Sequence, residues 1–113
     1  MGTVLIVDDE PAIRSLLQLA LAGAGHRVLT SDTGAAALEH VATEHVDAVL
    51  VDLQLDGECG LDVIALLRAR QPDLASIVIT GREQSILDDQ VRVLHKPFSV
   101  GAARSAVDAA LAR

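Results

Sequence analysis

Residues 46–51 read Val-Asp-Ala-Val-Leu-Val, apolar on both faces apart from Asp47. A strand of that pattern offers no face to water, so it belongs inside a parallel sheet covered on both sides by helices. Parallel neighbours need crossover connections, and the remaining sequence supplies them. Residues 3–7 form a short β-branched run that ends in Asp8-Asp9-Glu10. Pro11 then fits a first helical turn, and Ile13, Leu16, Leu17, Ala20 and Leu21 recur at helical spacing until Gly23 and Gly25. A second strand is expected over 27–30. A second helix is expected over 35–43, with Leu38, Val41 and Ala42 on one side. A third helix follows over about 61–70, before Pro72, and strands follow over 77–79 and 91–94. Ser99 can cap a last helix carrying Val100, Ala103, Val107, Ala110 and Leu111. The alternation predicts an open, doubly wound α/β fold with a five-stranded parallel sheet. Its weak link is 81–90, polar and long enough for only a turn or two of helix.

The 113 residues suit one domain, 1–113, with half of them hydrophobic. Phe98 is the single aromatic residue, so the core must be Val, Leu, Ile and Ala. A net charge of -7 and the lack of aromatic platforms argue against nucleic acid and against an anionic membrane surface. No apolar run is long enough to span a bilayer, and the first residues lead directly into a strand. Cys59 is the lone cysteine, which excludes an internal disulfide and fits a reducing compartment. A cytoplasmic location is the expectation.

Doubly wound sheets place their sites beyond the carboxyl ends of the strands. There the first strand ends in Asp8-Asp9, the third in Asp52, the fourth in Thr80 and the fifth in His95-Lys96-Pro97. Three carboxylates brought together repel unless a hard cation intervenes, and oxygen donors without Cys or His favour Mg²⁺. A lysine and a threonine hydroxyl can hold phosphoryl oxygens. That set suits phosphoryl transfer to a carboxylate, where catalysis is positioning and charge neutralisation. The simpler readings are helix N-terminal charge for Asp8 and Asp9, a loop cap for Asp52 or Thr80, and a solvated lysine at 96.

The stretches Val4-Leu5-Ile6-Val7-Asp8-Asp9-Glu10-Pro11, Val49-Leu50-Val51-Asp52-Leu53, Gly60, Thr80-Gly81 and Lys96-Pro97-Phe98 resemble the response-regulator receiver family, over the whole chain. The resemblance implies a flavodoxin-like (βα)5 fold with strand order 2-1-3-4-5 and a short or disordered fourth helix. It implies that Asp52 accepts phosphoryl from a histidine kinase or histidine phosphotransfer protein. It further implies that Asp9 and Asp52 bind Mg²⁺ directly, Asp8 through water, with the backbone carbonyl of Gln54 as a further ligand. Thr80 and Lys96 would bind phosphoryl oxygens, the Lys96-Pro97 peptide would be cis, and Gln54 and Arg82 would flank attacking water and tune hydrolysis. Such a domain switches a partner or relays phosphoryl and is not an enzyme acting on an external substrate. The alternative is a pseudo-receiver that binds without being phosphorylated.

Three positions depart from the family pattern. Asp56 stands where the family usually has proline, and Val93 where it often has an aromatic switch residue. The interval from Thr80 to Lys96 is several residues shorter than usual, as in receivers of hybrid histidine kinases and some stand-alone receivers. With Thr80 and Val93 as the switch positions, ordering of 81–90 on phosphorylation is the expected output. His26, His40, His45 and His95 show no metal-ligand spacing.

Overall fold

The structure, a computed structural model, describes residues 2–81 and 91–112. Five strands, β1 (Thr3–Val7), β2 (Arg27–Ser31), β3 (Ala48–Asp52), β6 (Ala75–Thr80) and β7 (Val91–His95), form one parallel sheet in the order β2-β1-β3-β6-β7. Taking these five alone, that is the expected order 2-1-3-4-5. Four helices wrap it: α1 (Pro11–Gly23), α2 (Gly34–Thr43), α3 (Gly60–Arg70) and α4 (Val100–Leu111). The expected short fourth helix, Arg82 and the proposed switch segment fall on 82–90, outside the described residues apart from Gly81.

Strand alternation divides the core into two layers. Val4, Ile6, Leu50, Ile77 and Ile79 face α1 and α4, meeting Leu17, Leu21, Ala103 and Val107. Leu5, Val7, Val49, Val51 and Val78 face α2 and α3, meeting Ala37, Val41, Val63 and Leu67. Every residue of β3 and β6 is buried, as the two-faced apolar pattern of the third strand required. Truncating Leu50 there would cost roughly 2–5 kcal/mol, from lost transfer energy and the cavity left behind.

Between the third strand and the third helix the sequence predicts only a loop. The chain instead makes a small antiparallel hairpin, β4 (Gln54–Leu55) and β5 (Glu58–Cys59), across Asp56-Gly57. Gly57 turns it with φ 74, a left-handed value that glycine adopts without strain. The hairpin then leads straight into α3 through Gly60. A Cβ on Gly60 would collide with the carbonyl oxygen of Asp52, so only glycine allows this return past the strand end. The end of the hairpin thereby passes close against the backbone of Asp52.

Candidate functional site

At the carboxyl ends of β1, β3 and β7, Asp8, Asp52 and Lys96 meet. Asp52 is 6% exposed at the last position of β3. Its Oδ1 accepts the Gln54 amide at 3.1 Å, and its Oδ2 faces the Lys96 ammonium at 3.4 Å. The Lys96 amide donates to the Thr80 carbonyl at 2.8 Å, which fixes the end of β7 against the end of β6. Thr80 is buried there, and the Lys96-Pro97 peptide is cis, as expected. Val93 is half-buried on β7.

Asp8 has no exposed surface. Its Oδ1 accepts the Glu10 amide at 2.9 Å, and its carbonyl is held by the Arg14 guanidinium at 2.7 Å. Its Oδ2 is buried without a hydrogen-bond partner, and Lys96 lies 3.9 Å away, too far to supply one. Burial therefore pushes the Asp8 carboxyl up to about 6; Asp52 and Glu10 add to the rise, while the Glu10 amide and Lys96 oppose it. A buried carboxylate oxygen left unsatisfied beside a second carboxylate is what a hard cation would repair.

The acidic cluster differs in one member from the expected trio. Asp8, Glu10 and Asp52 each place a carboxylate oxygen within 4.8 Å of the other two. Asp9 is not in that group; its Oδ2 accepts the Asp56 amide at 2.9 Å and so ties the hairpin to the loop after β1. Glu10, which the sequence places in the family-matching stretch without a role of its own, reaches Lys96 at 3.8 Å. Its adjacency to Asp8-Asp9 was the available signal, and the pre-helix position disguised it. Gln54 is exposed, with its amide used by Asp52. Oxygen donors alone make up the cluster, a set that fits Mg²⁺ and not a soft metal.

A profile of the response regulator receiver domain matches residues 4–108. The chain belongs to that family. It is 36% identical over 118 residues to the DNA-binding transcriptional regulator NtrC of Escherichia coli K12, covering 97% of this chain and 25% of that protein. The chain thus spans about a quarter of the length of that relative. Among solved structures, the response regulator TrrA of Thermotoga maritima, in complex with Mg²⁺-BeF, matches with TM-score 0.85 and 29% identity, over 98% of this chain and 100% of that one. The receiver domain of the hybrid histidine kinase CckA matches with TM-score 0.86 and 26% identity, over 97% and 99%. The chain is accordingly a receiver domain of the response-regulator type, a family of regulatory phosphoacceptors. No helix among the described residues is long and apolar enough to cross a membrane.

Proposed function

We propose that Asp52 is the phosphoacceptor, and that residues 1–113 work as one receiver unit in the cytoplasm. Its Oδ atom attacks the phosphorus of a phosphohistidine on a histidine kinase or phosphotransfer protein. The O–P bond forms as the P–N bond breaks, and the imidazole leaves with the electron pair and takes a proton. The observation that carries this reading is the placement of Asp52. It is a nearly buried carboxylate at the end of the central strand, 3.4 Å from an ammonium and beside the unpartnered oxygen of Asp8.

Bound at Asp9, Asp52 and the Gln54 carbonyl, and through water at Asp8, Mg²⁺ would neutralise carboxylate and phosphoryl charge so that an anion can approach an anion. Lys96 and Thr80 hold phosphoryl oxygens. Gln54 and Arg82 are the positions assigned to tuning hydrolysis, and Thr80 with Val93 marks the switch. Beside Lys96 an apolar recess lined by Ile13, Leu16, Pro97 and Phe98 offers the donor protein a place to rest while its phosphohistidine reaches Asp52. A pseudo-receiver is disfavoured because Asp8, Asp9, Asp52, Thr80 and Lys96 are all present.

Incubation with a small acyl phosphate and Mg²⁺ should add one phosphoryl mass to the intact protein. Asp52→Asn should remove it. An adduct that survives in that variant would move the acceptor to another residue.

A further inference from the structure

We propose that Glu10 is a positioning residue: its carboxylate holds the Lys96 ammonium at the rim of the site, so that the lysine does not compete with a divalent cation for Asp8 and Asp52. This rests on the phosphoacceptor reading of Asp52.

The competition follows from the distances. The Lys96 Nζ lies 3.4 Å from Asp52 Oδ2, 3.8 Å from Glu10 Oε1 and 3.9 Å from Asp8 Oδ2. One ammonium therefore neutralises the same two buried carboxylates that a divalent cation would bind. Two cations a few ångströms apart repel strongly in such a poorly hydrated place. A bound Mg²⁺ thus requires Lys96 to move off Asp8 while staying within reach of the acceptor. Glu10 supplies the counter-charge for that displaced position.

The local sequence prepares Glu10 for this task. Pro11 restricts the residue before it to extended backbone, and Glu10 sits at φ -89 and ψ 114. It occupies the N-cap position of α1, yet its side chain makes no cap hydrogen bond. Its backbone is fixed instead, the amide donating to the Asp8 carboxylate and the carbonyl accepting from the Arg14 backbone amide as the first helical bond of α1. With both ends of the residue fixed, the side chain projects from a set origin, and it is 60% exposed against none for Asp8. An exposed carboxylate gives up little hydration by taking the lysine. Asp8 Oδ2, still without a partner, stays available to the cation.

The test is a double-mutant cycle on Mg²⁺ affinity, titrated calorimetrically on wild type, Glu10→Gln, Lys96→Met and the double variant. If Glu10 acts by holding Lys96, Glu10→Gln weakens Mg²⁺ binding by about tenfold with Lys96 present and about twofold without it, the residual being through-space charge. Equal losses in both backgrounds would overturn the proposal. Glu10→Asp keeps the charge and shortens the reach, and should bind Mg²⁺ nearly as weakly as Glu10→Gln. Wild-type affinity in Glu10→Asp would also overturn it. The acyl phosphate assay on wild type at saturating Mg²⁺ separates the two levels of argument. No adduct refutes both the acceptor reading and the role of Glu10, whereas an adduct with an additive cycle refutes Glu10 alone.

Discussion

The two ends of the sheet are built on opposite electrostatic principles. At the amino end, polar groups find partners. Gln71 accepts the Val46 amide at 2.9 Å and donates to the carbonyls of Val41 at 2.9 Å and Glu44 at 2.7 Å, joining the end of α2 to the approach to β3. Asp47 accepts the Thr3 amide at 2.8 Å and lies 3.4 Å from His45. His26 accepts the Gly2 amide at 3.2 Å. At the carboxyl end, three carboxylates crowd one lysine, and a buried oxygen of Asp8 goes unbonded. A satisfied end holds the strands in register, and the frustrated end is the one that the proposed cation and phosphoryl group would use. Stability and chemistry thus occupy different edges of one sheet.

The comparison breaks most sharply on Asp52 and Asp8. Asp52→Asn should abolish the phosphoryl adduct by intact mass while the domain stays folded, because one carboxylate fewer relieves crowding. Asp8 gives the largest effect of the site on stability. Its carboxyl titrates near 3.8 in the unfolded chain and about 6 in the fold. Between those values the folded protein holds more protons, so this group's contribution to stability falls as pH rises from 4 to 6, and the penalty is complete above that. In metal-free buffer, Asp8→Asn should therefore be more stable than wild type at pH 7, by no more than about 3 kcal/mol, with little difference at pH 4. Urea denaturation at the two pH values measures this. A variant less stable at pH 7 would mean that Asp8 is satisfied after all.

Gln71 should behave in the opposite way. Gln71→Ala removes three hydrogen bonds and leaves the amide of Val46 without its partner, at a cost of about 2 kcal/mol. The loss should be the same with and without Mg²⁺, and Mg²⁺ affinity should not change. A change in affinity would show that the two ends are coupled through the sheet.

How much of this was legible follows from the kind of signal each part carries. The five parallel strands were readable because two-faced apolar runs such as 46–51 admit few alternatives. Helix starts at Pro11 and Ser99 were readable because proline and serine have positional chemistry, and Ser99 Oγ does accept the Ala102 amide at 3.0 Å. Asp8, Asp52, Thr80 and Lys96 were found from strand ends, which topology alone brings together. The β4–β5 hairpin was not found, since Gln54-Leu55 and Glu58-Cys59 are too short to show a period, although Asp56-Gly57 is a turn signal. Gln71 was missed because one polar residue at a helix end looks like any solvated surface glutamine. Glu10 was missed because the pull of Lys96 on it exists only in three dimensions.

The smallest effect tests whether the hairpin belongs to the stable or the chemical end. Its tip is tied to the loop after β1 by the bond from the Asp56 amide to Asp9. Its second strand is tied to α2 by Glu58, whose Oε1 accepts the Gly34 amide at 3.0 Å. That amide is one of the four unpaired donors that begin a helix, and Thr33 Oγ1 takes another from Ala36 at 3.1 Å. Glu58 thus caps a helix from outside it, and its charge also meets the positive end of the helix dipole. Because Glu58 is exposed, the loss on Glu58→Ala should be modest, about 1 kcal/mol. Glu58→Gln, which keeps an acceptor without the charge, should lose about half of that. If Glu58 serves only the scaffold, both variants should bind Mg²⁺ and take up the phosphoryl group as wild type does. A drop in phosphoryl uptake at saturating Mg²⁺, larger for Ala than for Gln, would instead show that the α2 anchor helps to shape the loop beside Asp52, and would move the boundary between the two ends into the hairpin itself.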